Sequence, residues 1–158
     1  MKEKYNIVIP ENIYPRPNIR EISAAYILAK YFKTNIEFIP RGNQRTPDFL
    51  INNLYWELKT PTGTGKYNLQ HTLRSATKQS ENIIIDARFS KMNISKIRNE
   101  LNYQFKKSRN IKRLLLIDKQ KRIVDFCRWL RYNSGIESPP GNAGLRRFGA
   151  FFFCIMYC

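Results

Sequence analysis

Acidic residues are scarce in this chain. The 158 residues include 12 Asp and Glu against 28 Lys and Arg, which gives a formal net charge of +16 at pH 7. The pI is near 10.0. A charge of this size exceeds what solubility requires and favours a polyanionic partner, either nucleic acid or an anionic membrane surface. We therefore expect a nucleic-acid-binding protein, with the membrane surface as the second interpretation.

Several features of membrane, secreted and metal-scaffolded proteins are missing as well. No apolar run approaches the ~20 residues of a membrane-spanning helix, and the first residues, MKEK, do not lead into the apolar segment of a signal peptide. We therefore expect no membrane span and no secretory leader. The three cysteines, Cys127, Cys154 and Cys158, have no metal-ligand spacing, so we expect neither a zinc site nor a disulfide scaffold.

The C-terminal part of the chain differs in composition from the rest. Hydrophobic residues make up 42% of the sequence and charged residues 25%, a globular composition at a length that predicts one domain with a real core. However, all three cysteines, four of the seven glycines and a Pro-Pro pair lie beyond Phe126. We therefore predict a folded domain over residues 1–126 and a variable or poorly ordered tail over residues 127–158.

The hydrophobic pattern predicts strands and helices that alternate along residues 1–126. Three segments have apolar residues at helical spacing, and shorter β-prone runs lie between them. This order is typical of an α/β protein, a mixed β-sheet with helices packed on its faces. The predicted elements are a strand over 5–9, a helix over 19–32, a strand over 35–39, a hairpin over 46–60, a helix over 68–80, a strand over 82–87, a helix over 93–108, and strands over 111–117 and 122–126.

The segment TPDFLINNLYWELKT, residues 46–60, is the stretch around which the chain is organised. Two β-prone runs flank an Asn-Asn pair, and Asn tolerates the left-handed backbone that a two-residue hairpin turn demands. Counting outward from this turn places Asp48 opposite Glu57. Because side chains alternate along a strand, Glu57 and Lys59 project from the same face. The sequence therefore predicts two carboxylates and one ammonium at one end of a hairpin.

Two opposed carboxylates repel each other, and a divalent cation is the simplest group that would hold them together. Mg²⁺ binds one or two carboxylates with waters and substrate phosphates, and Mn²⁺ and Zn²⁺ are the alternatives. The other interpretation is an ordinary hairpin in which Glu57 pairs with Lys59. Glu21 also has two interpretations, since it lies at the capping-box position after Asn18 and in a helix turn that can face the hairpin. Spacing alone leaves the cation question open and favours the capping role for Glu21.

Polar and basic residues near the hairpin are expected to contact nucleic acid. Residues 61–66, PTGTGK, lack Walker A spacing, and they suit contact with a phosphate backbone and a plain linker equally well. Gln79 flanks the apolar stripe of the second predicted helix, from which it can point toward a site at the sheet edge. The cationic residues expected to bind nucleic acid are Arg41, Arg45, Lys66, Arg74 and Lys78.

These residues together resemble the PD-(D/E)xK nuclease superfamily. Glu21 on the first helix, a Pro-Asp pair opening a strand at Asp48 and the Glu-Leu-Lys run beginning at Glu57 follow the order of its motif. The segments WELKTPTGTGKYN and ATKQSENIIID further resemble the C-terminal tRNA-nuclease domain of contact-dependent growth inhibition toxins of the CdiA type. The resemblance covers residues 19–126, so the nuclease domain would be the predicted folded domain, and the tail lies outside it.

The resemblance implies a restriction-endonuclease-like core and a metal-dependent endoribonuclease that cleaves tRNA. It implies Glu21, Asp48 and Glu57 as the acids of a metal site, most simply for Mg²⁺. It also implies Lys59 as the catalytic lysine and, less directly, Gln79 as a polar residue at the site. Such a toxin acts in a bacterial cytoplasm, including that of a target cell after delivery, and is neutralised by an immunity protein. The alternatives are a DNA endonuclease of the same fold and a non-catalytic nucleic-acid-binding module.

Overall fold

The computed structural model describes residues 5–42, 45–65 and 67–126. The chain divides into two units, Met1–Phe126 and Cys127–Cys158. The predicted tail and the predicted nucleic-acid contact Lys66 lie outside the described residues. None of the helices in the described part of the chain has the length and apolar character needed to cross a membrane.

Seven strands and three helices form within the described residues. Every predicted element is present, and most are shorter at their ends than predicted. The elements are β1 (Ile7–Val8), α1 (Ile19–Phe32), β2 (Ile36–Phe38), β3 (Phe49–Ile51), β4 (Leu54–Lys59), α2 (Asn68–Ala76), β5 (Asn82–Asp86), α3 (Ile94–Lys107), β6 (Arg113–Ile117) and β7 (Ile123–Asp125).

The described strands form one mixed sheet in which β1 to β7 lie side by side in chain order. β1 and β2 are parallel, whereas β3 is antiparallel to both of its neighbours, β2 and β4. β4, β5 and β6 are parallel to one another, and β7 is antiparallel to β6. β5 is buried along its whole length, as its continuous apolar sequence predicts. The prediction of an α/β fold with a mixed sheet is confirmed.

The helices cover both faces of this sheet. One hydrophobic cluster joins the buried face of α1 to side chains such as Trp56 and Ile84. A second cluster joins α2 and α3 to Ile83 and Ile85. Because neighbouring side chains on a strand point to opposite faces, Ile84 packs under α1 while Ile83 and Ile85 pack under the other two helices. The central strands are therefore held between two apolar layers.

A capping box fixes the first residue of α1. The Asn18 side chain accepts hydrogen bonds from the backbone N–H groups of Arg20 (2.9 Å) and Glu21 (3.0 Å). Glu21 Oε2 in turn accepts one from the Asn18 N–H at 2.8 Å. Such a cap stabilises a helix by about 1 kcal/mol. The predicted N-cap is confirmed, and it holds the Glu21 carboxyl in the first turn of α1.

The predicted hairpin has the predicted register next to its turn. Ile51 pairs with Leu54, and the two pairs beyond follow in order to Phe49 opposite Trp56. Asn52 and Asn53 have φ of 49° and 61°. Positive φ at both central residues is the requirement of a type I′ turn, whose twist matches that of the strands.

α2 differs from its prediction at both ends. It ends at Ala76 instead of residue 80, and Tyr67, not Asn68, is its N-cap residue, without a capping side chain. Beyond Ala76 the chain turns, and the Ser80 hydroxyl donates to the Tyr55 carbonyl oxygen of β4 at 2.7 Å. The Ser80 N–H still bonds to the Ala76 carbonyl oxygen at 3.0 Å, so a helix-like turn follows the end of α2. Gln79 lies in this turn, one residue before the bond that ties Ser80 to β4.

Candidate active site

The hairpin places Asp48 beside the last residues of β4. The Asp48 N–H donates to the Trp56 carbonyl oxygen at 3.0 Å, and Asp48 Oδ2 accepts from the Leu58 N–H at 2.8 Å. The predicted direct opposition of Asp48 and Glu57 is therefore wrong in detail, since the paired register ends at Phe49 and Trp56. The Asp48 carboxylate instead bonds to the backbone one residue beyond Glu57. The two acids are still brought together.

Glu57 is the most buried acid of this cluster, with 1% of its surface exposed. Its Oε1 accepts hydrogen bonds from two side chains, Lys59 Nζ and, at 2.6 Å, Gln79 Nε2. Its Oε2 is buried, and no donor within the described residues reaches it. The predicted common face of Glu57 and Lys59 is confirmed, and Gln79, 22 residues along the chain, contacts the same carboxylate.

Burial and a neighbouring carboxylate raise the pKa values of both hairpin acids. Burial is the larger cause for Glu57, and the neighbouring Asp48 carboxylate adds to it, so that the pKa of Glu57 is about 7 despite the opposing effect of Lys59. Burial also raises the pKa of Asp48 above its usual value. The Leu58 N–H and the Lys59 ammonium oppose that rise, and the Glu21 carboxylate adds to it. The cluster therefore holds the proton of Glu57 to a higher pH than an exposed glutamate does.

Glu21 lies near these acids but is held by other partners. Its Oε2 accepts the capping-box hydrogen bond from the Asn18 N–H, and its Oε1 accepts a hydrogen bond from Arg41 Nη2 at 3.2 Å. The same Arg41 nitrogen lies 3.9 Å from Asp48 Oδ1, so one guanidinium bridges the two carboxylates. No group of three or more His, Cys, Asp or Glu side chains within the described residues has the arrangement of a metal site. Asp48 and Glu57 thus lie together on the hairpin, whereas the Glu21 carboxylate bonds to the Asn18 N–H of the capping box and to Arg41.

The donor set of Asp48 and Glu57 fits a hard divalent cation. The evidence within the molecule is the buried Glu57 Oε2, which lacks a hydrogen-bond donor within the described residues. A buried, unpaired carboxylate oxygen is costly, and Mg²⁺ characteristically binds one or two carboxylates with the remaining positions filled by water and phosphate. Two acids are sufficient for such an ion, and Glu21 is not required as a direct ligand.

The predicted nucleic-acid-binding cations are distributed in two ways. Arg41 lies at the acids, as described above. Arg45, Arg74 and Lys78 are exposed on the surface, and no ion pair joins them to Asp48 or Glu57 in the described part of the chain. Lys66 falls outside that part. Among the predicted nucleic-acid-binding cations that the structure describes, only Arg41 contacts the acids of the site.

A polar groove of about 270 Å³ opens beside Glu21. It lies between the start of α1 and the end of β4, and it continues past Lys59 into the loop that leaves the strand. Its lining residues are Asn18, Arg20, Glu21, Leu58, Thr60 and Thr62. The sequence pointed to Thr62 only as part of the loop over residues 61–66, and it did not single out Arg20 or Thr60.

A buried ion pair that sequence reasoning missed holds α1 against the sheet. Arg88 donates to the fully buried Asp86 carboxylate through Nε (2.8 Å) and Nη2 (2.7 Å). The same guanidinium donates to the Ser23 hydroxyl at 2.6 Å and to the Arg20 carbonyl oxygen at 2.9 Å. This fourfold contact fixes the first turn of α1, which carries Glu21. The signal in the sequence was an acid and an arginine two residues apart after an apolar strand.

Together, the fold and the site define a mixed-sheet α/β domain with a carboxylate–lysine cluster on its central hairpin. A model of the family described as "Contact-dependent growth inhibition CdiA C-terminal domain" matches residues 45–123, half of the chain. The chain belongs to this family of toxin domains. The match includes the whole hairpin, the loop after it, α2 and the central strands.

A solved structure has a similar fold. It is the CdiA-CT/CdiI toxin and immunity complex from Burkholderia pseudomallei, with a TM-score of 0.58 and 21% sequence identity. The match covers 76% of this chain and 97% of the other. No curated protein matches the sequence.

Proposed function

We propose that the protein is a metal-dependent endonuclease toxin that cleaves tRNA. The observation that carries the proposal is the joining of Asp48, Glu57 and Lys59 on one hairpin, with Glu57 Oε2 buried and lacking a donor within the described residues. This arrangement agrees with the PD-(D/E)xK motif that the sequence resembles. Membership of a growth-inhibition family agrees with a toxic activity.

Asp48 and Glu57 would hold the cation, most simply Mg²⁺. When bound there, such an ion supplies a Lewis acid that polarises a phosphoryl oxygen and lowers the pKa of its bound water. The buried Glu57 carboxyl must release its proton to act as a ligand, and its pKa of about 7 makes this release easy at neutral pH.

Lys59 is the residue best placed to act on the reacting phosphate. Its ammonium already lies against Glu57 Oε1 on the site face of β4, with 27% of the side chain exposed. From that position it would orient the attacking water or stabilise negative charge that develops on the phosphate oxygens. Gln79 would act as a positioning residue, because its amide donates to the same Glu57 oxygen and fixes the orientation of that carboxyl group.

Arg41 would contact the substrate backbone at the edge of the site. Its side chain is about half exposed and bridges Glu21 and Asp48 at 3.2 and 3.9 Å. An exposed guanidinium between two acids can turn toward a phosphate and donate two parallel hydrogen bonds to it. Glu21 would then act mainly through its hold on Arg41.

We further propose that an immunity protein neutralises the activity and that the toxin acts inside the cytoplasm of a target bacterium. The support for a protein inhibitor is the similar fold of a chain whose structure is titled a toxin and immunity complex. The support for the place of action is membership of the growth-inhibition family together with a nucleic-acid substrate.

The test is incubation of the purified protein with total bacterial tRNA, with and without Mg²⁺. We expect discrete metal-dependent fragments, and a loss of at least about 100-fold in rate for Asp48→Ala, Glu57→Ala and Lys59→Ala. Glu37→Ala is the matched control, because it removes an exposed carboxylate of β2 that no hydrogen bond or ion pair joins to Asp48, Glu57 or Lys59 in the described part of the chain. Circular dichroism of each variant checks that the fold is retained.

Full activity in Asp48→Ala, Glu57→Ala or Lys59→Ala would overturn the site assignment. Intact tRNA with cleaved plasmid DNA would replace the substrate with DNA. If neither is cut in Mg²⁺, Mn²⁺ or Zn²⁺, the nuclease proposal is wrong and a binding module remains.

A further inference from the structure

We propose that a second groove, which shares Gln79 with the hairpin site, binds the phosphate backbone of the RNA next to the scissile bond. This inference rests on the proposed function and identifies a substrate-binding surface for it. The groove has a volume of about 430 Å³, which is enough for a nucleotide unit. Two chain segments line it, residues 77–81 after α2 and Arg109, Asn110 and Lys112 before β6.

Gln79 connects this groove, named here the α2–β6 groove, to the active site. Gln79 is one of the residues that line the groove, and its Nε2 donates to Glu57 Oε1 at 2.6 Å. One residue therefore belongs both to the groove and to the hydrogen bonds of the buried carboxylate. A strand whose phosphate lies at the acids would have its neighbouring nucleotide within reach of the groove.

The floor of the α2–β6 groove is held in place before any ligand arrives. The Ser80 hydroxyl and the Asn82 side-chain amide both donate to the Tyr55 carbonyl oxygen, at 2.7 and 2.9 Å. The Lys112 N–H donates to the Glu81 carbonyl oxygen at 2.8 Å, which ties the second segment to the first. A preformed groove loses less conformational entropy on binding than a mobile loop.

The charge of the groove suits a polyanion. Three cationic side chains line it, Lys78, Arg109 and Lys112, against one carboxylate, Glu81. Lys112 Nζ lies 2.7 Å from Glu81 Oε1, so the carboxylate already has a counter-charge at the rim. Phosphate neutralisation by such side chains supplies affinity that does not depend on sequence.

The polarity of the lining favours RNA over a protein partner. The lining residues are Thr, Lys, Gln, Ser, Glu, Arg and Asn, and none is an aromatic or a large apolar side chain. Protein interfaces are anchored by buried aromatic and apolar side chains, whereas phosphate and sugar contacts use hydroxyl, amide and cationic groups. The hydroxyls and amides present can also bond to the 2′-hydroxyl of RNA.

The experiment compares Arg109→Ala/Lys112→Ala with Lys96→Ala/Lys119→Ala, a matched double variant that removes two exposed cations outside the groove. Binding of fluorescent tRNA is measured in EDTA, where a metal-dependent nuclease does not cut, over a series of salt concentrations. We expect the groove variant to bind about tenfold more weakly and its salt slope to fall by about 1.5. The control should change by less than threefold.

Steady-state kinetics of the same variants give a second readout. For Arg109→Ala/Lys112→Ala we expect KM to rise by about tenfold while kcat stays within about twofold of wild type. The reason is that neither residue contacts the hairpin acids, Asp48 and Glu57. Glu81→Gln should act in the opposite direction and tighten tRNA binding, because it removes the one carboxylate of the groove.

Wild-type affinity, salt slope and KM in Arg109→Ala/Lys112→Ala would overturn the α2–β6 groove while leaving the nuclease proposal intact. Equal losses in both double variants would also overturn it, since they would show a general charge effect. A selective loss of binding to an immunity protein, with tRNA binding unchanged, would make the groove a protein surface and overturn the proposal. A selective loss of RNA binding in a protein that cleaves nothing would support the groove and refute the nuclease.

Discussion

Glu57 is the residue whose burial is unfavourable for the stability of the fold and is required by the proposed chemistry. It is buried between Lys59, Gln79 and the Asp48 carboxylate, and one of its oxygens has no donor within the described residues. In the metal-free protein, ionisation of Glu57 is therefore less favourable in the folded state than in the unfolded chain. A site that binds a cation needs this unfavourable arrangement, because the carboxylate oxygens must remain available to the ion.

This arrangement predicts that the metal-free protein loses stability as pH rises toward 7. The folded-state pKa of Glu57 is about 7 against an ordinary 4.5, so folded Glu57 retains its proton where unfolded Glu57 has lost it. Its contribution is therefore fully present below about pH 4.5 and is lost as pH rises through about 7. We expect the loss to be on the order of 1–3 kcal/mol. Urea unfolding in EDTA at several pH values measures it.

Glu57→Gln is the matched variant, because it keeps the acceptor oxygen for Lys59 and Gln79 and removes the titrating group. The difference in unfolding free energy between wild type and this variant should change across that pH range. A difference that stays constant with pH would contradict the raised pKa of Glu57.

At the scale of secondary structure, the hairpin and the capping box position the acids of the site. The Asn-Asn turn fixes the register of β3 against β4, and just beyond the last pair of that register the Asp48 carboxylate accepts from the Leu58 N–H. The capping box sets the start of α1 and thereby places Glu21 within reach of Arg41. Because both devices are local, each one can be weakened without changing the residues of the active site.

The turn gives a prediction for the hairpin. Asn53 is exposed with φ of 61°, a backbone conformation that β-branched residues strongly disfavour. We therefore expect Asn53→Val to reduce the free energy of unfolding by about 1–2 kcal/mol. Asn53→Gly, which accepts positive φ without strain, should stay within about 0.5 kcal/mol of wild type. Urea midpoints with an unchanged m-value measure both, and equal stability of the two variants would exclude the left-handed turn.

At the scale of the whole molecule, a large positive net charge accompanies a site that is itself acidic. The chain carries a formal net charge of +16, while Glu21, Asp48 and Glu57 lie together at the edge of α1 and the hairpin. A polyanion is thus attracted by the net charge and repelled by the site, where these three acids face two cations, Lys59 and Arg41. A bound cation would remove that repulsion, and phosphate contacts elsewhere on the surface would supply most of the affinity.

The charge predicts strongly salt-dependent binding of nucleic acid. With four or more phosphates neutralised, the logarithm of the association constant should fall against the logarithm of salt concentration with a slope steeper than about −2.8. Measurements of tRNA binding between 50 and 200 mM salt, with wild type in EDTA, give this slope. Binding that is independent of salt would contradict a phosphate-based mode of recognition.

The sequence by itself determined the elements and the local chemistry. Helix α1 with its Asn18 cap, the hairpin register next to its Asn-Asn turn and the buried strand β5 were all predictable. Each depends on preferences expressed within a few residues: capping, positive φ and apolar periodicity. The common face of Glu57 and Lys59 was predictable for the same reason, because alternation along a strand is a local rule.

The tertiary structure alone decided how distant residues meet. The hydrogen bond from Gln79 to Glu57 joins the turn after α2 to β4, and the bond from Ser80 to the Tyr55 carbonyl oxygen joins the same two segments. The bridge of Arg41 between two acids and the α2–β6 groove likewise join segments far apart in the chain. No local preference specifies such contacts, because they follow from the packing of helices on two faces of one sheet. Burial in that packing is also what raises the pKa of Glu57.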